Sequence, residues 1–419
     1  MKYLQNTSWL FLERILKITT SIVIGAWVAR YLGVDNFGLL SYSNSLVALF
    51  IPVATFGLND LIVKELLKKK YSRNEILGTS FVIKILGGVA SFLFLLIYLL
   101  LRSQDLKANY LILLFSPYLF LQSIDVIDFF FQSQVLSKYV VFSRIIALTA
   151  ANIVKVILIF LDASIFFFAG VVTFELLLIL IFNIYFFQIR GLNIFSWRLK
   201  KDLAKRFLKN GFTLLISGFM YIIYLKIDQI MVREILGDKA SGLYAVAIAL
   251  SESWYFIPHV IATSFFPAIL LSKTNTKKQY NNNFTRLYFA VFWIAVIIAA
   301  LTLLFGQEVI SVLYGKPYLE SFNILKIYVW SNIFFFYATI SSKWLVAEQL
   351  YFHSFYRNIV GAISNILLNL FLIKRFGLEG AAVSTLISYS FIGLFYDLSN
   401  KKVRESFRIK IKSIICLTE

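Results

Sequence analysis

Apolar runs of about 20 residues, the length needed to cross a bilayer core as an α-helix, recur from one end of this chain to the other. Twelve stand out, at 9–32, 38–63, 77–101, 109–132, 141–161, 165–188, 210–236, 242–271, 284–305, 321–347, 355–373 and 381–398. The breaks between them are short and polar or glycine-containing, too short for an extramembrane catalytic domain. Apolar residues make up 59% and charged residues 15% of the 419, with a mean hydropathy of +0.78, whereas a soluble domain is roughly 45–50% apolar and about 25% charged. A water-soluble fold is excluded, and the expected class is an all-α integral membrane protein of about 12 transmembrane helices. The first run carries Glu13, Arg14 and Lys17 and continues to Leu32 without a cleavage pattern, so it reads as a retained span.

The formal net charge of +19 invites comparison with nucleic-acid-binding proteins, but its placement argues for topology instead. With the N-terminus inside, one set of loops and both tails hold 23 basic residues and the opposite loops hold 8. Basic loops stay cytoplasmic, so both termini are expected in the cytoplasm, where the lysines and arginines meet anionic lipid heads. No nucleic-acid partner is expected. One cysteine, Cys416, and two histidines, His259 and His353, supply neither a disulfide framework nor a zinc-ligand spacing. The expectation is therefore no metal and no cofactor.

The two halves of the chain repeat each other. Leu32-Gly33, four residues and Gly38-Leu39 in the first half match Leu236-Gly237, four residues and Gly242-Leu243 in the second, at an offset of 204. Arg144 and Asn152 match Arg357 and Asn365 at an offset of 213. Parallel repeats of this kind build transporters with a central site between two halves. The expected organisation is an N-terminal six-helix bundle over 1–189, a basic cytoplasmic linker over 190–209, a C-terminal six-helix bundle over 210–400 and a basic cytoplasmic tail over 401–419.

Ionisable groups within spans cost at least about 2.5–3.5 kcal/mol each on insertion scales, so they face a cavity, water or one another. Arg286 and Arg357 lie near cytoplasmic span ends and can snorkel. Deeper ones need partners. Glu13 and Lys17 are four apart with the acid first, a favourable helical pairing that suits a structural or a functional ion pair equally. Arg144 and Lys155 are eleven apart, nearly on one helix face, and repel unless an anion lies opposite. Gln122, Asp125, Asp128 and Gln132 form a polar stripe at helical spacing. The stripe suits a counter-charge for Arg144 and Lys155, an ion relay, or a wall of a substrate path. Lys226 and Asp228 are two apart and point to different faces. Glu175, Glu252 and His259 read as packing contacts. Phenylalanines facing lipid, and tyrosines and tryptophans at the interface, account for most of the aromatic content.

Enzymatic signatures fail. Gly33 and Gly38 have P-loop spacing, but Leu39 and Leu40 stand where Lys and Ser or Thr are required. The sequons Asn6-Thr7-Ser8 and Asn283-Phe284-Thr285 fall on the cytoplasmic side. No set of nucleophile, base and oxyanion donors emerges, so no enzyme is expected.

Three stretches then carry a family resemblance. They are Arg30-Tyr31-Leu32-Gly33 with Phe37-Gly38-Leu39, Ile227-Asp228-Gln229 with Gly242-Leu243-Tyr244, and Ala347-Glu348 through Asn365-Ile366-Leu367-Leu368-Asn369 to Phe376-Gly377-Leu378-Glu379-Gly380-Ala381-Ala382. Together they resemble the polysaccharide-transporter branch of the MATE-like exporter superfamily, nearest to the Wzx-type O-antigen flippases of bacterial inner membranes. The resemblance implies a V-shaped pair of six-helix bundles. It implies a flippase that moves an undecaprenyl-diphosphate-linked oligosaccharide from the cytoplasmic to the periplasmic leaflet by alternating access. Implied partners are the lipid-linked oligosaccharide, membrane lipids, an O-antigen polymerase and a chain-length regulator. From the residues themselves, Arg14, Lys17, Lys84, Arg144, Lys155, Lys226 and Lys326 are candidates for a cavity that holds diphosphate or acidic sugars. Glu13, Asp125, Asp128 and Asp228 are candidates for ion coupling or counter-charge. The alternatives are a cation-coupled multidrug exporter of the same superfamily and a membrane-embedded glycosyltransferase or polymerase of the same pathway.

Overall fold

The computed structural model describes residues 2–68, 70–102, 105–273 and 276–415, so Cys416 lies outside the described residues. Among the described residues every regular element is helical. Nine helical stretches are long and apolar enough to cross a membrane, or ten if the pair Ser321–Tyr328 and Ser331–Ala347, bent by 42°, is one span. Two of the nine, Ser8–Lys68 and Phe352–Leu398, run to 61 and 47 residues. Each of these holds two of the apolar runs picked out in the sequence, which brings the twelve runs into register with the observed helices. Large apolar side chains such as Leu86, Leu101 and Phe160 are exposed on helix exteriors, as a lipid-facing surface requires.

The chain divides into two compact units, Met1–Lys226 and Ile227–Glu419. The first contains α1 (Lys2–Leu49), α2 (Ile51–Thr55), α3 (Asn59–Lys68), α4 (Arg73–Leu101), α5 (Leu106–Phe115), α6 (Pro117–Leu121), α7 (Val126–Ser133), α8 (Lys138–Phe160), α9 (Ile165–Ile189) and most of α10 (Lys201–Leu236). The segment expected to be a linker packs within this unit. Arg198 N donates to Asn74 O at 3.1 Å, Lys200 N to Thr79 Oγ1 at 2.9 Å, and Arg206 pairs with Glu65 at 2.9 Å. The unit boundary falls inside α10, a single continuous helix.

Two local features of this unit place its polar residues. At Gly87 and Gly88 of α4 a Cβ would come within 2.6 Å of Val53 O and 2.8 Å of Leu119 O, so the missing side chains let the backbones of α2 and α6 close on α4. Lys84, one turn earlier, is carried into the same packed region. The span formed by α5, α6 and α7 is broken by Pro117 and by a 3-10 turn at Gln122–Asp125, a geometry in which residues three apart eclipse. The continuous polar stripe expected over 122–132 is therefore divided, and Gln132 lines a separate groove with Asp60 and Lys64.

The second unit holds the end of α10, then α11 (Asp238–Glu252), α12 (Phe256–Lys273), α13 (Lys277–Leu313), α14 (Ser321–Tyr328), α15 (Ser331–Ala347), α16 (Tyr351–Gly393) and α17 (Arg404–Ile415). The basic tail forms α17, which docks on α13 and α15. Its Lys410 is buried, 2.7 Å from Asp397 Oδ2 and 2.6 Å from Gly393 O. Glu405 accepts from Asn281 Nδ2 at 3.0 Å and pairs with Lys277 at 3.0 Å. Burial pushes the Glu405 carboxyl up, but these two partners outweigh it and hold the group below the usual glutamate range.

The repeated turn is visible in the backbone. Gly33 has φ 74° and ψ 170°, and its counterpart Gly237 has φ 89° and ψ −176°. This conformation is essentially restricted to glycine. Nothing lies within 4 Å of a Cβ at either position, so the only cost of a side chain there is backbone strain. Gly33→Ala and Gly237→Ala should each lose about 1–3 kcal/mol of stability, read as a fall in thermal unfolding temperature in detergent. Gly170→Ala, on the helical α9 with the same open space, should gain about 0.5–1 kcal/mol. Equal behaviour of the three variants would contradict the conformational argument.

Candidate functional site

In the first unit a polar cavity of about 450 Å³ opens among α1, α8, α9 and the broken span around Gln122–Asp125. Its wall carries Glu13, Arg14 and Lys17 from α1, Asn59 from α3, Gln122 and Asp125 from the 3-10 turn, and Asp128 from α7. Arg144 of α8 and Glu175 and Asn183 of α9 complete the polar lining, with Leu148, Leu176 and Ile179 as apolar panels.

Three ion pairs, made by two cations, organise this wall. Lys84 Nζ, fully buried, is 2.5 Å from Asp125 Oδ1 and 2.8 Å from Asn59 Oδ1, and lies 4.8 Å from the centre of the Phe129 ring. Arg144 Nη2 is 2.9 Å from Asp128 Oδ2, and its Nη1 is 3.7 Å from Glu13 Oε2. Asn183 Nδ2 donates to the other Asp128 oxygen at 2.6 Å. An isolated ion in such surroundings is strongly disfavoured, whereas a hydrogen-bonded pair is tolerated. Glu13 faces Arg144 rather than Lys17, its helical neighbour four residues on. Arg14 and Lys17 are exposed side chains on the cavity wall that form no ion pair or side-chain hydrogen bond with any described residue.

With Lys84 counted behind Asp125, four carboxylates face four cations around the cavity. The wall is close to neutral in sum, and the charges without an ion pair among the described residues are Arg14, Lys17 and Glu175. Of the other candidate cations, Lys155 is half-buried on α8, off the wall, within electrostatic reach of Glu175 and Lys17. Lys226 is half-buried at the end of the first unit. Lys326 belongs to α14 in the second unit and donates to Asn323 Oδ1 at 3.0 Å. The structure therefore brings Arg14, Lys17, Lys84 and Arg144 together with Glu13, Asp125 and Asp128, and leaves Lys155, Lys226 and Lys326 apart from that group. Sequence reasoning missed Asn59 and Asn183. Neither carries a local signal, because their partners lie 25 and 55 residues away.

The second unit holds a different polar centre. The buried Asp228 carboxylate accepts from Asn369 Nδ2 at 2.5 Å, from Tyr244 OH at 3.2 Å and from Thr385 Oγ1. Asn369 Nδ2 also reaches Asn365 Oδ1 at 3.0 Å. Asn365 Nδ2 and Asn369 Oδ1 are buried without a hydrogen-bond partner among the described residues. No cation stands beside Asp228 in these contacts. Among the described residues no cluster of three His, Cys, Asp or Glu side chains could hold a metal ion.

The Lys84–Asp125 pair makes a testable statement about the wall. Removing one member strands the other in an apolar interior, at about 3–5 kcal/mol, whereas replacing both with apolar side chains is often close to neutral. Lys84→Ala should lower the thermal unfolding temperature markedly, and Lys84→Met combined with Asp125→Leu should restore most of the loss. A Lys84→Ala protein as stable as the parent would show that the pair is not structural.

The fold recurs among solved transporters. An inward-facing multidrug resistance MATE family transporter of the MOP superfamily superposes with a TM-score of 0.75 at 11% identity, over 95% of this chain and 94% of that one. The lipid II flippase MurJ in an inward closed conformation gives a TM-score of 0.71 at 17% identity, over 98% and 91%. Likeness at these identities is a likeness of fold. An uncharacterized membrane protein of Methanocaldococcus jannaschii is 25% identical over 198 residues, which is 46% of each chain; the match thus spans less than half of that relative. A family model for polysaccharide biosynthesis proteins matches residues 3–273. This multi-pass membrane protein belongs to the polysaccharide biosynthesis protein family.

Proposed function

We propose that the protein is a flippase of bacterial inner membranes. It moves an undecaprenyl-diphosphate-linked oligosaccharide, an O-antigen repeat unit, from the cytoplasmic to the periplasmic leaflet by alternating access. The observation that carries this reading is that Arg14 and Lys17, which have no ion pair among the described residues, stand beside Arg144 on a polar cavity of about 450 Å³. A diphosphate leaving the headgroup region loses hydration, and arginine and lysine replace it with charge-assisted hydrogen bonds. The family assignment supports a role in polysaccharide assembly, and the MurJ-like fold supports a lipid-borne cargo. Lys155 and Lys226 are proposed as further stations along the path, and Lys326 as a station in the second unit.

Asp228, buried and held only by neutral donors, is proposed as the ion-coupling group. Glu13, Asp125 and Asp128 act as counter-charges for Arg144 and Lys84. No reaction is catalysed in this cycle. An O-antigen polymerase and a chain-length regulator are the proposed partners downstream. A cation-coupled multidrug exporter would call for free carboxylates to meet cationic drugs, and of the four on this wall Glu13, Asp125 and Asp128 are engaged by cations, which leaves Glu175 alone without an ion pair among the described residues.

Each hydrogen-bonded contact to a charged group contributes about 1.5–3 kcal/mol, equivalent to about tenfold to a hundredfold in rate. The double variant Arg14→Gln, Lys17→Gln should therefore reduce the lipid-linked saccharide reaching the outer leaflet of spheroplasts by at least about tenfold, with protein in the membrane unchanged. Arg14→Lys with Lys17→Arg should retain most of the activity. Unaltered translocation in the double Gln variant removes the assignment.

A further inference from the structure

The second unit contains a carboxylate that the transport reading leaves unused. Glu252 ends α11 where the helix breaks into a 3-10 turn at Ser253–Tyr255, just before Pro258. Such an interruption within a spanning segment exposes backbone and marks a hinge or a polar site. Glu252 is partly exposed, whereas Asp228 is buried. The two are connected through tyrosines. Tyr328 OH donates to Glu252 Oε1 at 3.1 Å, the Tyr328 ring meets the Tyr244 ring edge-on at 6.2 Å, and Tyr244 OH donates to Asp228 Oδ2 at 3.2 Å.

Unsatisfied hydroxyls surround this route. Among the described residues Tyr255 OH and Ser331 Oγ are buried without a hydrogen-bond partner, although Tyr328, Tyr389 and Ser331 all come close to the Tyr255 hydroxyl. Buried hydroxyls without partners are costly, and several converging on one place offer the two to four polar contacts that hold a water molecule. Neutral hydroxyls strung between two carboxylates suit a hopping proton, since a hydroxyl can accept one proton as it releases another. A metal ion cannot pass along such a chain, because it needs a cage of oxygens at each step.

We infer that Glu252 is the entry point of a proton path that runs through Tyr328 and Tyr244 to Asp228. A proton on Glu252 passes to the Tyr328 oxygen as Tyr328 releases its own hydroxyl proton to a water held by Tyr255 and Ser331. That water hands a proton to the Tyr244 oxygen, and the Tyr244 hydroxyl proton goes to Asp228 Oδ2. Both tyrosines and the water end neutral, Glu252 ends as a carboxylate, and Asp228 ends protonated. The titratable groups facing the two carboxylates are Tyr244, Tyr255, Tyr328 and Tyr389, and His259 lies a turn beyond Tyr255 against the Phe335 ring. The path rests on the transport reading for its purpose, not for its geometry.

The test uses the full chain in lipid nanodiscs and follows protonation by infrared difference spectroscopy after a downward pH jump. The carboxylic-acid band that vanishes in Asp228→Asn reports Asp228. Tyr328→Phe and Glu252→Gln should each slow the growth of that band by at least about tenfold, with its final amplitude unchanged. Tyr328→Phe keeps the ring and so remains informative if Glu252→Gln fails to fold. An unchanged rate in Tyr328→Phe overturns the path, and so does a lost amplitude in a folded Tyr328→Phe protein, because a conduit alters rate alone. No saccharide transport is measured, so failure of the flippase reading and failure of this path are seen separately.

Discussion

A charge inside a bundle of apolar helices must be neutralised by something nearby, and this requirement organises the polar interior of the first unit. Lys84 is held by Asp125 and Asn59, and Arg144 by Asp128 and Glu13, with Asn183 completing Asp128. These bonds tie α1, α3, α4, α8 and α9 to the broken span between them. Once they are made, the carboxylates that touch Lys84 and Arg144 have little left to offer a cationic ligand. Arg14 and Lys17, on the exposed side of α1, are outside the network, and an anionic head is the ligand proposed for them.

The two halves share a scaffold but differ in polar content. Gly33 and Gly237 adopt the same glycine-specific backbone at equivalent turns. At the repeat-related pair Arg144 and Arg357 the surroundings diverge. Arg144 pairs with two carboxylates, while the buried Arg357 donates to Ser342 Oγ at 2.7 Å and its Nε and Nη1 find no partner among the described residues. In the first unit the duplicated frame carries a polar cavity whose wall balances four cations with four carboxylates. In the second it carries a closed carboxylate, Asp228, and a string of tyrosines. The proposed division of labour places cargo contact in the first unit and ion coupling in the second.

Much of the architecture is legible in the residue pattern because it is a matter of length and hydropathy, which act locally. The repeat was visible for a similar reason: a turn that admits only glycine leaves a residue signature. The polar site was less legible. The stripe Gln122, Asp125, Asp128 and Gln132 looks continuous only on an ideal helix, and Pro117 with the 3-10 turn divides it. Glu13 and Lys17 look like a pair on one helix, yet Arg144 from α8 competes for the same carboxylate. Lys84 shows no local partner, because Asn59 and Asp125 are 25 and 41 residues distant. Asp228 was conspicuous, but Asn369 and Thr385 reach it from 141 and 157 residues away. Charges call for partners, and spacing along one helix does not say which other helix supplies them.

The central question is whether Arg14 and Lys17 of the first unit hold phosphate. The direct measurement is equilibrium binding of a short-chain prenyl-diphosphate-linked sugar to the purified protein, compared with the same sugar on a neutral prenyl alcohol. Binding of the diphosphate should weaken by at least about tenfold in Arg14→Gln, Lys17→Gln, a loss of about 1.4 kcal/mol, and should fall as salt rises, while the neutral analogue binds poorly throughout. Equal affinity for the charged and neutral lipids, or unchanged affinity in the double variant, would contradict it.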